Sequence, residues 1–252
     1  WINLMKTSFT RAQYMKKRIM LITDSMAMPR PGVPYESTWV YLLKQEFPDY
    51  DIIDRPARGA TALRLVTEGG GGLDLLERYA PDLVIIQIGM ADCAPRLFRK
   101  NGPEYFFMNR ILSAGLRSRY INFVKKRRVR NPSLTETSPE NFQAFMSGFA
   151  GRAAACGTAI IAVKIIRPGS EFIAKSPHIT DNVDKFNAIL DSIEAEKINF
   201  HTIRPFEKNY DIDAISLDEL HVNDEGHKII FMKLKDSIYE LSDTKIISGW
   251  DC

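Results

Sequence analysis

Cysteine is scarce in this chain. Cys93, Cys156 and Cys252 are odd in number, widely spaced and without a Cys-x-x-Cys pair, which argues against a disulfide framework and leaves no recognisable zinc site. Long apolar runs are absent too: no stretch approaches the roughly 18 residues of a membrane-crossing helix. Charge of one sign is not in excess, because 31 acidic residues nearly offset 34 basic ones. A net charge of +3 is too mild to imply nucleic acid by itself. Glycine clusters only at Gly69–Gly72. A phosphate-binding loop needs a lysine after its glycines and a strand before them, and neither is present. That weakens any kinase or nucleotidase reading and leaves a break between two short helices.

What is present is ordinary for a globular protein of 252 residues, with 45% hydrophobic and 26% charged side chains. The N-terminal segment places basic residues ahead of Ile19–Ile22. That run is too short for a signal-peptide core and leads into Asp24 instead of a small-residue cleavage site, so it reads as a first strand. The opening at Trp1 points to a processed or truncated chain, with Met5 or Met15 as candidate natural starts. The expected location is cytoplasmic.

Short β-branched runs alternate with longer amphipathic ones. Strands are expected at Arg18–Thr23, Asp51–Asp54, Leu83–Ile88, Thr158–Ile166 and Asn199–Ile203, two of them apolar on both faces. Helices fit Thr38–Glu46, Leu73–Tyr79, Pro139–Ala155, Asn182–Lys197 and Glu225–Leu241. Ser138-Pro139-Glu140 supplies a cap and a first-turn proline, and Gly157 a stop. The alternation predicts one doubly wound α/β domain, a three-layer α/β/α sandwich on a mainly parallel five-stranded sheet. Leu97–Ser138 falls outside it as a long insertion. Its basic cluster, Arg117–Arg130, would suit an anionic substrate, a polysaccharide or a membrane surface, or simply be a solvated helix and loop. No aromatic-interleaved nucleic-acid motif accompanies it.

Two polar stretches stand at opposite ends of the chain. Thr23-Asp24-Ser25 follows the first strand, where open α/β sheets build their sites, so Ser25 is a candidate nucleophile; the alternative is a pair of turn and cap residues. Asp218 precedes His221 by three residues, just before the last helix. A carboxylate so placed can orient the imidazole toward a serine.

The order of these stretches resembles the SGNH hydrolases, the GDSL-type esterases and lipases. That family carries Gly-Asp-Ser, then a glycine, then Gly-x-Asn-Asp, then Asp-x-x-His. Here the corresponding residues are Thr23-Asp24-Ser25, Gly59, Gly89-Met90-Ala91-Asp92 and Asp218-Glu219-Leu220-His221, spread over roughly residues 18–240. The resemblance implies a flavodoxin-like fold and a serine esterase needing no metal or organic cofactor. Ser25 would be the nucleophile, His221 the base and Asp218 its orienting group, with the N–H groups of Ser25 and Gly59 forming the oxyanion hole. Asp24 would brace the loop, and Asp218 would raise the His221 pKa above its ordinary value. Thr23 replaces the family's first glycine. Ala91 replaces an asparagine whose side chain donates to the oxyanion, a loss that typically costs about 10²–10³ in rate. Near the site, Gly89 and Asp92 complete the third motif, Cys93 reads as packing, and Arg96 is a candidate grip for an anionic substrate. The expected activity is removal of an acyl group, with acetyl the leading choice, from a carbohydrate or related small ester. A silent or acyl-transferring protein that holds an anionic glycan is the alternative. Oligomeric state is not legible.

Overall fold

The computed structural model describes residues 16–67, 74–96, 103–128 and 134–243, without the side chains of 125–128. The glycine run, Leu73 of the expected second helix and Arg130 lie outside the described residues. Five parallel strands form one sheet in the order β2-β1-β3-β4-β5: β1 Arg18–Thr23, β2 Asp51–Pro56, β3 Leu83–Gln87, β4 Ala159–Val163 and β5 Phe200–Ile203. The α-helices are α1 Trp39–Glu46, α2 Leu75–Tyr79, α3 Met90–Cys93, α4 Pro103–Arg110, α5 Ala114–Arg128, α6 Pro139–Ala155, α7 Ser170–Lys175, α8 Ile179–Glu196 and α9 Asp224–Asp243.

The two-residue period of a strand sends its side chains into two cores. Ile19, Leu21, Leu83 and Ile85 face α1 and α9, packing with Trp39, Leu43, Ile230 and Leu234. Met20, Ile22, Val84 and Ile86 face α6 and α8, packing with Phe142, Phe149, Phe186 and Leu190. β3 and β4 are buried throughout, as continuous apolar runs in a parallel sheet require. The topology reverses between β1 and β3, which opens a crevice at the carboxyl ends of these strands.

Several boundaries differ from the sequence expectation, each for a local reason. β3 stops at Gln87, before Ile88, because the chain turns at Gly89, where φ is +124°. β4 ends at Val163 instead of Ile166; beyond it Asn187 takes over the backbone, accepting from the Ile165 N–H at 2.8 Å and donating to the Ile165 carbonyl at 2.9 Å. α6 starts as expected, its Asn141 N–H donating to Ser138 Oγ at 3.2 Å. α8 begins at Ile179, earlier than expected, and the short α3 and α7 have too few residues for a periodic signal. The insertion forms the helices α4 and α5, and its two ends are drawn together where the Arg96 N–H donates to the Leu134 carbonyl at 2.8 Å. Among the described residues, no helix is long and apolar enough to cross a membrane.

Candidate active site

At the end of β1 the chain is caught by its neighbour: the Asp24 N–H donates to the Gln87 carbonyl at 2.9 Å. Asp24 then caps a single 3-10 turn, Ser25–Ala27, its carboxylate accepting from the Met26 N–H at 2.8 Å. Burial pushes the Asp24 carboxyl up to about 7, against the pull of that N–H; Asp92 adds to the rise and Arg30 opposes it. The turn fixes Ser25 half-buried at the rim, its side chain directed at the other end of the chain.

That other end is a tight loop ahead of α9. Ser216 and Val222 close it as an antiparallel bridge, and the Leu217 N–H donates to the His221 carbonyl at 2.8 Å. Asp218 Oδ1 accepts from the N–H groups of Leu220 and His221, both at 2.9 Å. The same carboxylate lies 2.8 and 2.9 Å from His221 Nδ1. His221 Nε2 stands 3.1 Å from Ser25 Oγ, across 196 residues of chain. A proton on Nδ1, facing the carboxylate, leaves the Nε2 lone pair facing the hydroxyl.

The electrostatics of the pair run against one sequence expectation. Burial raises Asp218, but the N–H groups of Leu220 and His221 and the imidazole outweigh it and hold its carboxyl below the ordinary value. His221 is lowered instead of raised: burial is the largest cause, and the charges of Arg30 and Arg58 add to it against the hydrogen bond that the ring donates to Asp218 and the charge of that carboxylate. A lowered pKa keeps the imidazole neutral, and so able to take a proton, to lower pH.

Beside Ser25 the Ala57 N–H donates to the Thr23 carbonyl at 3.0 Å, after which the chain makes a turn with Gly59 at φ +62°. Left-handed backbone there favours glycine. Among the described residues, the backbone N–H groups of Ser25 and Gly59 donate to no protein acceptor. Asp92 ties this side together: both its oxygens accept from the Ala62 N–H, at 3.0 and 3.1 Å. Burial carries its carboxyl up to about 7, over the opposing bonds from Thr137 and Ala62. At Gly89 a Cβ would fall 2.6 Å from Ile165 Cδ1, so the third motif's glycine is required for close packing as well as for its φ. Ala91 is buried in α3 and its methyl group donates nothing. Cys93 is fully buried, and burial pushes its thiol up.

Arg96 makes structural contacts. Its Nη2 donates to the Ala91 carbonyl at 3.2 Å and its Nε lies 3.9 Å from Glu136, so it braces α3 and the returning insertion. In the basic cluster, Arg117 is occupied locally by the carbonyls of Asn109 and Leu112. The arginine that does meet the candidate triad is Arg30, which the motif reading passed over. Its Nη2 donates to the Ser25 carbonyl at 2.6 Å, and its Nη1 lies 3.4 Å from Asp218 Oδ2. Its place five residues after Ser25, on the same loop, was the one available signal. Among the described residues, no group of His, Cys, Asp and Glu side chains is assembled to hold a metal ion.

No curated protein matches this chain. Solved structures do. The psychrotrophic esterase EstA from Pseudoalteromonas sp. is 20% identical, with 90% of this chain and 99% of that one covered at a TM-score of 0.55. A lipase/acylhydrolase from Enterococcus faecalis is 14% identical, with 89% and 96% covered at 0.58. Est24, a carbohydrate acetylesterase from Sinorhizobium meliloti, is 14% identical, with 90% and 100% covered at 0.55. At such identities the likeness establishes the fold. The sequence model of the GDSL-like lipase/acylhydrolase family matches residues 22–229, from the end of β1 into α9. With that match spanning most of the chain, the protein belongs to the GDSL-like lipase/acylhydrolase (SGNH hydrolase) family, whose members are carboxylic ester hydrolases.

Proposed function

We propose that this protein is a serine esterase that removes a short acyl group, acetyl foremost, from a carbohydrate or related small molecule. The observation that carries it is the relay Ser25 Oγ, His221 Nε2, His221 Nδ1, Asp218. Ser25 Oγ attacks the ester carbonyl while His221 takes its proton. The tetrahedral oxyanion is held by the N–H groups of Ser25 and Gly59, which have no other protein acceptor among the described residues. His221 then returns the proton to the leaving alcohol as the carbon–oxygen bond breaks. Water, activated by the same imidazole, cleaves the acyl-serine and restores the hydroxyl. Asp218 keeps the ring in the required tautomer throughout.

A short acyl group is favoured by the small size of the cleft that reaches Asp24 and Met26, on either side of Ser25, and is lined further by Met90 and Ile165. The carbohydrate side of the reading draws on the Sinorhizobium acetylesterase that shares the fold. The test is release of acetate from acetylated oligosaccharides, beside hydrolysis of aryl acetate and aryl decanoate. Ser25→Ala should abolish every activity, and acetate should outrun decanoate. Turnover that survives Ser25→Ala defeats the esterase assignment, and a decanoate preference defeats the short-acyl one.

A further inference from the structure

The turn after β2 carries an exposed cation, Arg58. Among the described residues, the exposed Arg58 side chain makes no hydrogen bond and no ion pair, whereas its neighbours are engaged. Arg30 spans the Ser25 carbonyl and Asp218, and Arg64 donates to the Thr23 carbonyl at 3.2 Å.

Register places Arg58 at the site. Thr23 of β1 stands opposite Pro56 of β2, and the Ala57 N–H bonds the Thr23 carbonyl at 3.0 Å. Arg58 is the next residue on one strand, and Asp24 and Ser25 are the next two on the other. Adjacent strands lie about 4.8 Å apart, so Arg58 stands on the rim that carries the nucleophile. Its charge acts on both Arg30 and His221, which puts it on their side of the loop.

The local charges do not balance. Arg30 and Arg58 repel each other, as each like-charge pair does. Asp218 is already engaged by the imidazole and two N–H groups. Asp24 and Asp92 are buried, with pKa values pushed up to about 7, so they supply less than full negative charge near neutral pH. The rim around Ser25 therefore has an excess of cationic side chains, and one of them, the planar five-donor fork of Arg58, has no protein partner among the described residues.

We propose that Arg58, with Arg30 beside it, binds a carboxylate or phosphate on the substrate next to the ester that Ser25 attacks. The inference rests on the esterase reading and deepens it: the substrate is an acidic ester, such as an acylated sugar acid or sugar phosphate. Specificity then comes from the Gly59 turn and not from the basic insertion or Arg96.

The experiment compares anionic esters with neutral isosteres of matched reactivity. On the alcohol side the pair is para-acetoxybenzoate and para-acetoxybenzamide, with para-acetoxyphenyl phosphate extending the arm to phosphate. On the acyl side it is a monoaryl glutarate and the aryl ester of glutaramic acid. The readout is the anionic-to-neutral ratio of kcat/KM, corrected by each ester's hydroxide rate, for wild type, Arg58→Gln and Arg58→Lys. In at least one arm the wild-type ratio should favour the anion at low salt and shrink as salt is added. Arg58→Gln should lower it about five- to tenfold, the scale of a charge-assisted contact at a partly exposed site, and Arg58→Lys should restore part of it. Ratios that are equal in wild type and Arg58→Gln, or a wild type that never prefers the anion, overturn the inference while the esterase reading stands. Absence of Ser25-dependent hydrolysis on the neutral esters would instead strike that reading itself.

Discussion

Replacing Arg30 by glutamine removes one group that holds both halves of the candidate triad. Its 2.6 Å bond to the Ser25 carbonyl is charge-assisted, and its side chain is only 18% exposed. Hydrogen bonds to charged groups are worth about 1.5–3 kcal/mol. The contact with Asp218 is longer, at 3.4 Å, and Asp218 is 47% exposed, so it adds at most about 1 kcal/mol. If the Ser25 contact is expressed mainly in positioning the nucleophile, kcat/KM should fall about ten- to hundredfold, each factor of ten being about 1.4 kcal/mol. A second consequence separates positioning from general damage. The Arg30 charge helps hold the His221 pKa below its ordinary 6.5. With neutral His221 as the proposed base, the wild-type rate should rise through a pKa below 6.5, and removing the charge should move that acid limb to higher pH. The assay is kcat/KM for an aryl acetate from about pH 5 to 9 in wild type, Arg30→Gln and Arg30→Lys. Lysine keeps the charge without the fork, so it should lose rate yet keep its acid limb nearer to wild type. An unmoved or downward-shifted limb in Arg30→Gln would refute the reasoning.

Three further outcomes follow from single residues. The folded Asp24 carboxyl, at about 7 against an ordinary 3.8, holds its proton more tightly than in the unfolded chain; its stabilising contribution is complete below about pH 4 and is lost as pH rises through about 7. Asp24→Asn retains an acceptor for the Met26 N–H, so its unfolding free energy in urea should drop less than wild type between about pH 5 and 8, and parallel curves would exclude this role. Gly89→Ala should lower stability by about 1–3 kcal/mol, because a Cβ would sit 2.6 Å from Ile165 at a φ of +124°; an unchanged Tm would show that Ile165 gives way freely. Ala91→Asn should raise kcat more than KM, well under the ceiling of about 10²–10³ for an oxyanion donor, and a loss of rate would mean that position 91 has no room for the amide.

Much of the fold was legible because burial on both faces leaves an unmistakable record. "LVIIQI" and "AIIAV" have no polar residue until their ends, and helix caps such as Ser138-Pro139 act through bonds to adjacent N–H groups. The candidate triad was legible for a related reason: Ser25, Asp218 and His221 each stand at the border of a strong local signal. What was not legible depends on residues distant in sequence. The end of β4 is decided by Asn187, 22 residues away, and the direction of the His221 shift by burial and by Arg30 and Arg58. An Asp three residues before a histidine states one term of that balance; the larger opposing terms come from loops that only the folded chain brings near. Arg96 shows the same limit: proximity to the third motif made it a candidate ligand group, but its contacts with the Ala91 carbonyl and Glu136 are set by the fold and not by that proximity.

The same balance bears on the missing asparagine. An oxyanion hole works by presenting fixed positive potential where negative charge develops, and a side-chain amide is one source of it. If the backbone N–H groups of Ser25 and Gly59 form the hole, the cations of its rim count too: Arg30 and Arg64 are held by carbonyl groups of β1 and its turn, and Arg58 follows on the neighbouring strand. A guanidinium near the rim lowers the energy of any negative charge formed there, with less directionality than an aimed N–H and with more screening by salt. It lowers the energy of an anionic substrate as well. Potential that acts equally on ground state and transition state improves KM and leaves kcat unchanged; only the part that strengthens as the oxyanion forms accelerates the step. A site that has exchanged an aimed donor for diffuse positive charge should therefore gain more in selection of acidic esters than in turnover.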